Sequence, residues 1–158
     1  SLSKVYALSG LRAAYLVGAE AAMAELRPLM PPWSVSLPAQ IAAVQALQSG
    51  DYYSERHRQT HVLREQLAEH IRALDPQADV LTGVTNAVLW HLPPDGPSAR
   101  LLSERCRARG LFVREIEAPE PESADRLLRV AVKDDETQRR MVSMLAQARS
   151  ECGQRGDA

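Results

Sequence analysis

Aromatic side chains are scarce in this 158-residue chain: they make up 4% of it, with a single phenylalanine. A surface that stacks successive nucleobases needs several exposed rings, so single-stranded nucleic acid is not an expected partner. An excess of one charge is lacking too. Nineteen Lys and Arg face twenty Asp and Glu, a net charge of −1, which leaves little field to draw nucleic acid or an anionic membrane. No apolar run approaches the roughly 20 residues that span a bilayer. No charged-then-apolar leader opens the sequence, and the expectation is a cytoplasmic protein without a membrane partner. Cysteine is limited to Cys106 and Cys152, far apart and in no metal-type spacing, so both read as reduced, structurally minor thiols.

What is present is ordinary in bulk and specific in detail. The 45% hydrophobic and 25% charged content suits a globular protein long enough for a proper core. Its most informative stretch is the first. Lys4 follows two hydroxyls, Ser1 and Ser3, and Arg12 lies eight positions further on, after Gly10-Leu11. A guanidinium can hold a phosphate through two hydrogen bonds at once. A lysine amine shielded from water, or placed beside another cation, sheds its proton easily enough to attack an aldehyde.

The rest of the chain reads as alternating helices and short strands. Ala13 to Gly18 is expected to be a short buried strand, and Ala19 to Leu26 a helix that stops before Pro28. Pro28, Pro31 and Pro32 mark a connection. Leu37, Ile41, Val44 and Leu47 share a helical spacing, with Ser36 as cap, Pro38 in the first turn and Gly50 as stop. Asp51 to Leu74 is the longest helical pattern, carried by Leu63, Leu67, Ile71 and Leu74. Strands are expected at Asp79–Leu81, Ala87–Leu92, Leu111–Ile116 and Leu127–Val132. A helix over Ser98–Arg109 ends at Gly110, with Leu101, Leu102 and Cys106 inward. The acidic stretch from Ala118 to Asp125 is expected to be an exposed loop. A last helix begins at Asp134 with acids in its first turn and an apolar face of Met141, Val142, Leu145 and Ala148, and the tail from about Cys152 is expected to fray. This order predicts an α/β fold with helices on one face of a sheet.

The opening run resembles the lysine motif of fold-type I pyridoxal-phosphate enzymes of the class I/II aminotransferase family, in the histidinol-phosphate aminotransferase and threonine-phosphate decarboxylase branch. That branch reads S/T-x-S/T-K-x-x-x-L-x-G-L-R-x-G-Y. Ser1, Ser3, Lys4, Leu8, Gly10, Leu11, Arg12 and Tyr15 match in register, whereas Ala14 stands in place of Gly. Two further stretches resemble the family. Pro32-Trp33-Ser34-Val35 followed by Gln40 is similar to its P-[YW]-x-V-N run, with Ser36 in place of Asn. Leu127-Leu128-Arg129-Val130 followed by Asp134-Asp135-Glu136 is similar to its arginine strand and acidic helix entry.

The resemblance implies that Lys4 holds pyridoxal phosphate as a Schiff base and moves a proton between substrate Cα and cofactor C4′. It implies that Ser1, Ser3 and Arg12 hold the cofactor phosphate and that Arg129 grips a substrate α-carboxylate. Leu111-Phe112-Val113-Arg114-Glu115 resembles the G-[IV]-x-[VI]-R-D strand whose arginine helps bind a substrate phosphate, so Arg114 is the specificity candidate. Asn86, similar to the Asn of the family's S-x-x-N strand, is expected to brace backbone.

His57 and His61 are four apart on a helix, but Arg58 stands where H-E-x-x-H requires Glu, and no metal is expected. Because the chain starts on Ser1 inside the motif, it is expected to be the C-terminal portion of a longer polypeptide. Residues 1–50 would then be a remnant of the large cofactor domain, 51–75 a linking helix and 76–158 the small α/β domain, with the full-length protein a homodimer. The expected activity is an aminotransferase acting on an amino acid or amino-alcohol phosphate. A threonine-phosphate decarboxylase-like enzyme and a non-catalytic fragment are the alternatives.

Overall fold

The computed structural model describes residues 1–117 and 125–153. The expected acidic loop therefore lies almost wholly outside the described residues, as does the end of the tail. The chain divides into two compact units, Ser1–His57 and Arg58–Ala158.

In the first unit, α1 (Leu2–Val5) is a single turn capped by the Ser1 side chain, and a 3-10 turn follows over Ser9–Leu11. α2 spans Glu20–Leu26 and runs into a second 3-10 turn over Arg27–Leu29, where Pro28 ends α-helical pairing. α3 (Leu37–Gln48) begins as expected: the Ser36 hydroxyl accepts from the Ala39 amide, and proline sits in the first turn. Gly50 is not the stop. Ser49 terminates α3, its hydroxyl donating to the Gln45 carbonyl at 2.8 Å, and Gly50 is the first residue of α4 (Gly50–Leu74).

One expectation fails here for a plain physical reason. The run Ala13 to Gly18 is not a strand. Only Ala13 is buried, while Tyr15, Leu16 and Val17 are exposed. A strand needs a neighbour to take up its amides and carbonyls; the Ala13 carbonyl accepts from the Leu2 amide, but among the described residues no ladder continues along the run. The periodic face of α3 is likewise open: Leu37, Ile41, Val44 and Leu47 are all exposed, and the buried positions are Ala39 and Ala46. The unit's own core is small. Leu2, Ala13 and Ala39 are packed against Tyr6, Leu8, Leu11, Val35 and Ala43.

The second unit is a two-layer α/β structure. β1 (Asp79–Thr82), β2 (Ala87–His91), β3 (Arg114–Ile116) and β4 (Leu127–Ala131) form an antiparallel sheet in the order β1-β2-β4-β3. α5 (Ala99–Arg107) and α6 (Asp135–Gly153) join the last part of α4 to cover one face. Strand alternation decides which face is covered. Val80, Val88, Trp90, Leu128 and Val130 point into the core with Leu67, Ile71, Leu102, Cys106 and Leu145. The local signals hold. Ser98 caps α5 by accepting from the Leu101 amide, and Gly110 follows with φ of 75°, a conformation that favours glycine. The third strand is shorter than expected, because Leu111 to Val113 make no ladder. Among the described residues no helix is long and apolar enough to cross a membrane.

Buried polar groups tie the layers together. Arg64 is almost fully buried on α4 and donates to the Thr85 carbonyl, to His61 Nδ1 and to Glu65. Gln138 on α6 donates to the Leu63 carbonyl at 2.9 Å. Buried Asp75 receives both Nε and Nη2 of Arg149, and Arg126 donates to the carbonyls of Pro93, Gly96 and Pro97, closing the proline-rich turn. Trp90 is the largest fully buried side chain. Trp90→Ala is expected to lower stability by about 3–5 kcal/mol, read as a shifted urea midpoint in far-ultraviolet circular dichroism. Trp33→Ala, at 96% exposed, should change it by less than about 0.5 kcal/mol.

The start of α6 carries a pH-dependent cap. The Asp134 carboxylate accepts from the Thr137 amide at 2.9 Å, and that hydrogen bond holds its pKa below the ordinary 3.8. A depressed folded-state pKa means a contribution that is present above pH 3.8 and is lost as pH falls through the lower folded value. Thermal melts of the parent and Asp134→Ala should therefore differ at neutral pH, the parent melting higher, and converge in acid below that point.

Candidate active site

The first unit gathers four of the expected site residues into one short loop. Ser1 and Ser3 flank Leu2, and their hydroxyls lie 3.0 Å apart. The Leu2 amide donates to the Ala13 carbonyl at 3.3 Å. That bond closes the loop and sets Arg12, the residue before Ala13, beside the turn that carries both serines and Lys4. Arg12 has φ of 52°, in the left-handed region, where a residue with a Cβ carries strain. One guanidinium nitrogen, Nη1, donates to the Ser9 carbonyl at 3.0 Å. The other donors of its fork have no partner among the described residues. Lys4 itself is exposed at the last turn of α1. Two hydroxyls, a guanidinium and an amine on a loop closed by its own backbone form a donor set that fits a phosphate-bearing aldehyde.

The second unit brings the other two together. In the β3–β4 register Arg114 is directly opposite Arg129, and in the β2–β4 register Arg129 is opposite Leu89. Directly opposed residues of an antiparallel pair share a face. Core-facing Leu128 and Val130 flank Arg129 in sequence, so the two arginines stand on the face that the helices leave uncovered. Like charges placed opposite each other cost stability, and neither guanidinium has an ion-pair partner among the described residues. An anion carrying two or more negative oxygens would relieve that repulsion.

The remaining candidates are occupied otherwise. The Asn86 carbonyl accepts from the Val132 amide at 2.9 Å, extending the β2–β4 pairing. His57 is bonded to the Val5 carbonyl and His61 to Arg64, and no three His, Cys, Asp or Glu among the described residues gather as metal ligands. Cys106 is fully buried, and burial pushes its thiol up to about 11, away from nucleophilic duty. Two residues at this site carry contacts that the sequence did not announce: Tyr53 had no expected role, and His57 stood out only for a metal-type spacing with His61. Tyr53 and His57 both bond the backbone immediately after Lys4. Their four-residue spacing was visible, but the carbonyls they meet lie about 50 residues away in sequence.

Comparison with known proteins agrees with this architecture. A histidinol-phosphate aminotransferase from Methylibium petroleiphilum is 34% identical over 151 residues, which is 92% of this chain and 37% of that protein. A threonine-phosphate decarboxylase from Salmonella typhimurium is 33% identical over 150 residues, 92% of this chain and 39% of that protein. The crystal structure of histidinol-phosphate aminotransferase from Sinorhizobium meliloti, in complex with pyridoxal-5′-phosphate, superposes with a TM-score of 0.84 at 21% identity, covering 96% of this chain and 40% of that one. The chain thus spans between about a third and two fifths of the length of the relatives it matches. The sequence profile of the family "Aminotransferase class I and II" matches residues 1–145, and the chain belongs to that family.

Proposed function

We propose that this chain carries the lysine-bearing part of a pyridoxal-phosphate-dependent aminotransferase that acts on an amino acid or amino-alcohol phosphate. The observation that carries the reading is the closed loop holding Ser1, Ser3, Lys4 and Arg12 together, because it combines an amine with anion-binding groups in a member of this family. Pyridoxal phosphate, when bound, supplies an aldehyde for an amine to attack and a ring that accepts electron density from the reacting carbon. Lys4 would hold the cofactor through its amine, and the same amine would take and return the proton at the substrate Cα. Ser1, Ser3 and the fork of Arg12 hold the phosphate. Arg129 binds a substrate carboxylate and Arg114 a substrate phosphate, neighbouring positions that the strand register supports.

On this reading residues 1–50 belong to a large cofactor domain, 51–75 to a linking helix and 76–158 to a small domain, within a cytoplasmic homodimer. A second reading, decarboxylation of an amino-acid phosphate, is favoured by the 33% identical threonine-phosphate decarboxylase and uses the same lysine to return the proton after loss of carbon dioxide. The test is a visible-absorbance titration with pyridoxal phosphate. A band that appears when the rest of the family fold is supplied, and disappears in Lys4→Ala, supports the site. No band under either condition identifies a non-catalytic piece.

A further inference from the structure

α1 is one turn long, and an isolated turn does not hold itself together in water. What it leaves unsatisfied are the carbonyls at its C-terminal end. The Leu2 carbonyl accepts from the amides of Tyr6 and Leu8, and the Lys4 carbonyl from the Ala7 amide. The next two are taken by side chains from α4. His57 Nε2 donates to the Val5 carbonyl at 2.9 Å, and the Tyr53 hydroxyl donates to the Tyr6 carbonyl at 3.3 Å. A carbonyl only accepts, so Nε2 carries the hydrogen. Tyr53 and His57 are four apart and share one face of the helix. The Tyr53 ring meets the Tyr6 ring edge-on, with centroids 4.8 Å apart and planes at 81°, which adds packing to the hydrogen bond. Tyr6 and Tyr53 are both half-buried.

We infer that Tyr53 and His57 are positioning residues: a two-pronged clamp that fixes the backbone immediately after Lys4 and so sets where its amine points. The functional part of this inference rests on the reading of Lys4 as the reactive lysine. Neither side chain needs to touch substrate or cofactor. The clamp works through two main-chain carbonyls, which makes it independent of the identity of residues 5 and 6 but dependent on donors at 53 and 57.

The test uses the full chain and its variants Tyr53→Phe, His57→Ala and His57→Gln. Amide hydrogen exchange is read at Tyr6, Ala7 and Leu8, with the α3 amides from Gln40 to Ala46 reporting that the unit remains folded. Loss of either prong should raise exchange at the three α1-linked amides about fivefold without changing α3, and His57→Gln, which keeps a side-chain N–H donor, should restore the parent rate. Unchanged exchange in Tyr53→Phe and His57→Ala, or a His57→Gln variant that behaves as His57→Ala, overturns the clamp. Reductive trapping separates this from the lysine reading. The chain has two lysines, Lys4 and Lys133, so borohydride treatment with pyridoxal phosphate gives a labelling ratio with an internal reference. The parent should favour Lys4, and the ratio should fall severalfold when a prong is lost and recover in His57→Gln. A parent ratio of one removes the lysine reading, while the exchange result still decides the clamp. A Lys4 preference that survives loss of both prongs overturns the positioning role.

Discussion

Lys4→Ala is expected to reduce turnover by at least about a thousandfold, the loss typical of removing a positioned proton-transfer group and equivalent to about 4 kcal/mol of barrier. The assay is transamination by the chain completed with the part of the family fold that lies outside it. The size of the effect follows from the double use proposed for one amine, to hold the cofactor and to move the proton. Alanine removes both uses, and an alanine methyl can do neither. Stability should not follow activity. Lys4 is exposed and its side chain makes no hydrogen bond or ion pair among the described residues, so the unfolding midpoint should move by less than about 0.5 kcal/mol. A variant that keeps more than about a tenth of the parent turnover would show that the amine is not the reactive group. Arg12→Ala offers a contrast: cofactor affinity should fall, and saturating pyridoxal phosphate should recover part of the rate, because the guanidinium binds rather than reacts.

Much of the fold was legible because its signals are local. Ser36 and Ser98 cap helices from the residue next door, Gly110 follows α5 in the left-handed region, and the faces of α4 and α6 repeat within a few residues. One error turns on burial. Ala13 to Gly18 has the composition of a buried strand, but burial is a property of what lies opposite, and among the described residues nothing covers Tyr15 to Val17. Polar core residues were missed for a related reason. Arg64 and Gln138 look like solvent-facing residues of helices and are buried because each reaches a backbone carbonyl, at Thr85 and Leu63, which desolvation would otherwise penalise. At the site, residue type and spacing offered an amine and a phosphate-holding arginine, Lys4 and Arg12, and the family resemblance added Arg114 and Arg129 as candidates. That Arg114 and Arg129 are opposed depends on strand register, and the contacts of Tyr53 and His57 on the return of α4 to the first turn.

That register gives the second large effect. Arg129→Leu is expected to lower kcat/KM for an amino donor bearing an α-carboxylate by about 30- to 1,000-fold, the range of about 2–4 kcal/mol lost when one partner of a bound charge pair is truncated. Arg129→Lys keeps the charge but not the planar fork, and should fall between parent and leucine variant. Arg114→Leu should act on the other ligand. KM for an amino-alcohol phosphate should rise about tenfold or more, with little change for a donor that has a carboxylate and no phosphate. Folding stability separates these losses from damage to the sheet. Each leucine removes half of a like-charged, directly opposed pair, so both variants should be as stable as the parent or more so, by up to about 1 kcal/mol. A leucine variant that loses activity and stability together would mean that the arginine supports the sheet. Equal losses on both substrates in Arg114→Leu would mean that the pair binds one shared anion. Only the combination of divided substrate effects and undiminished stability makes the uncovered face of this sheet the place where two anionic groups are told apart.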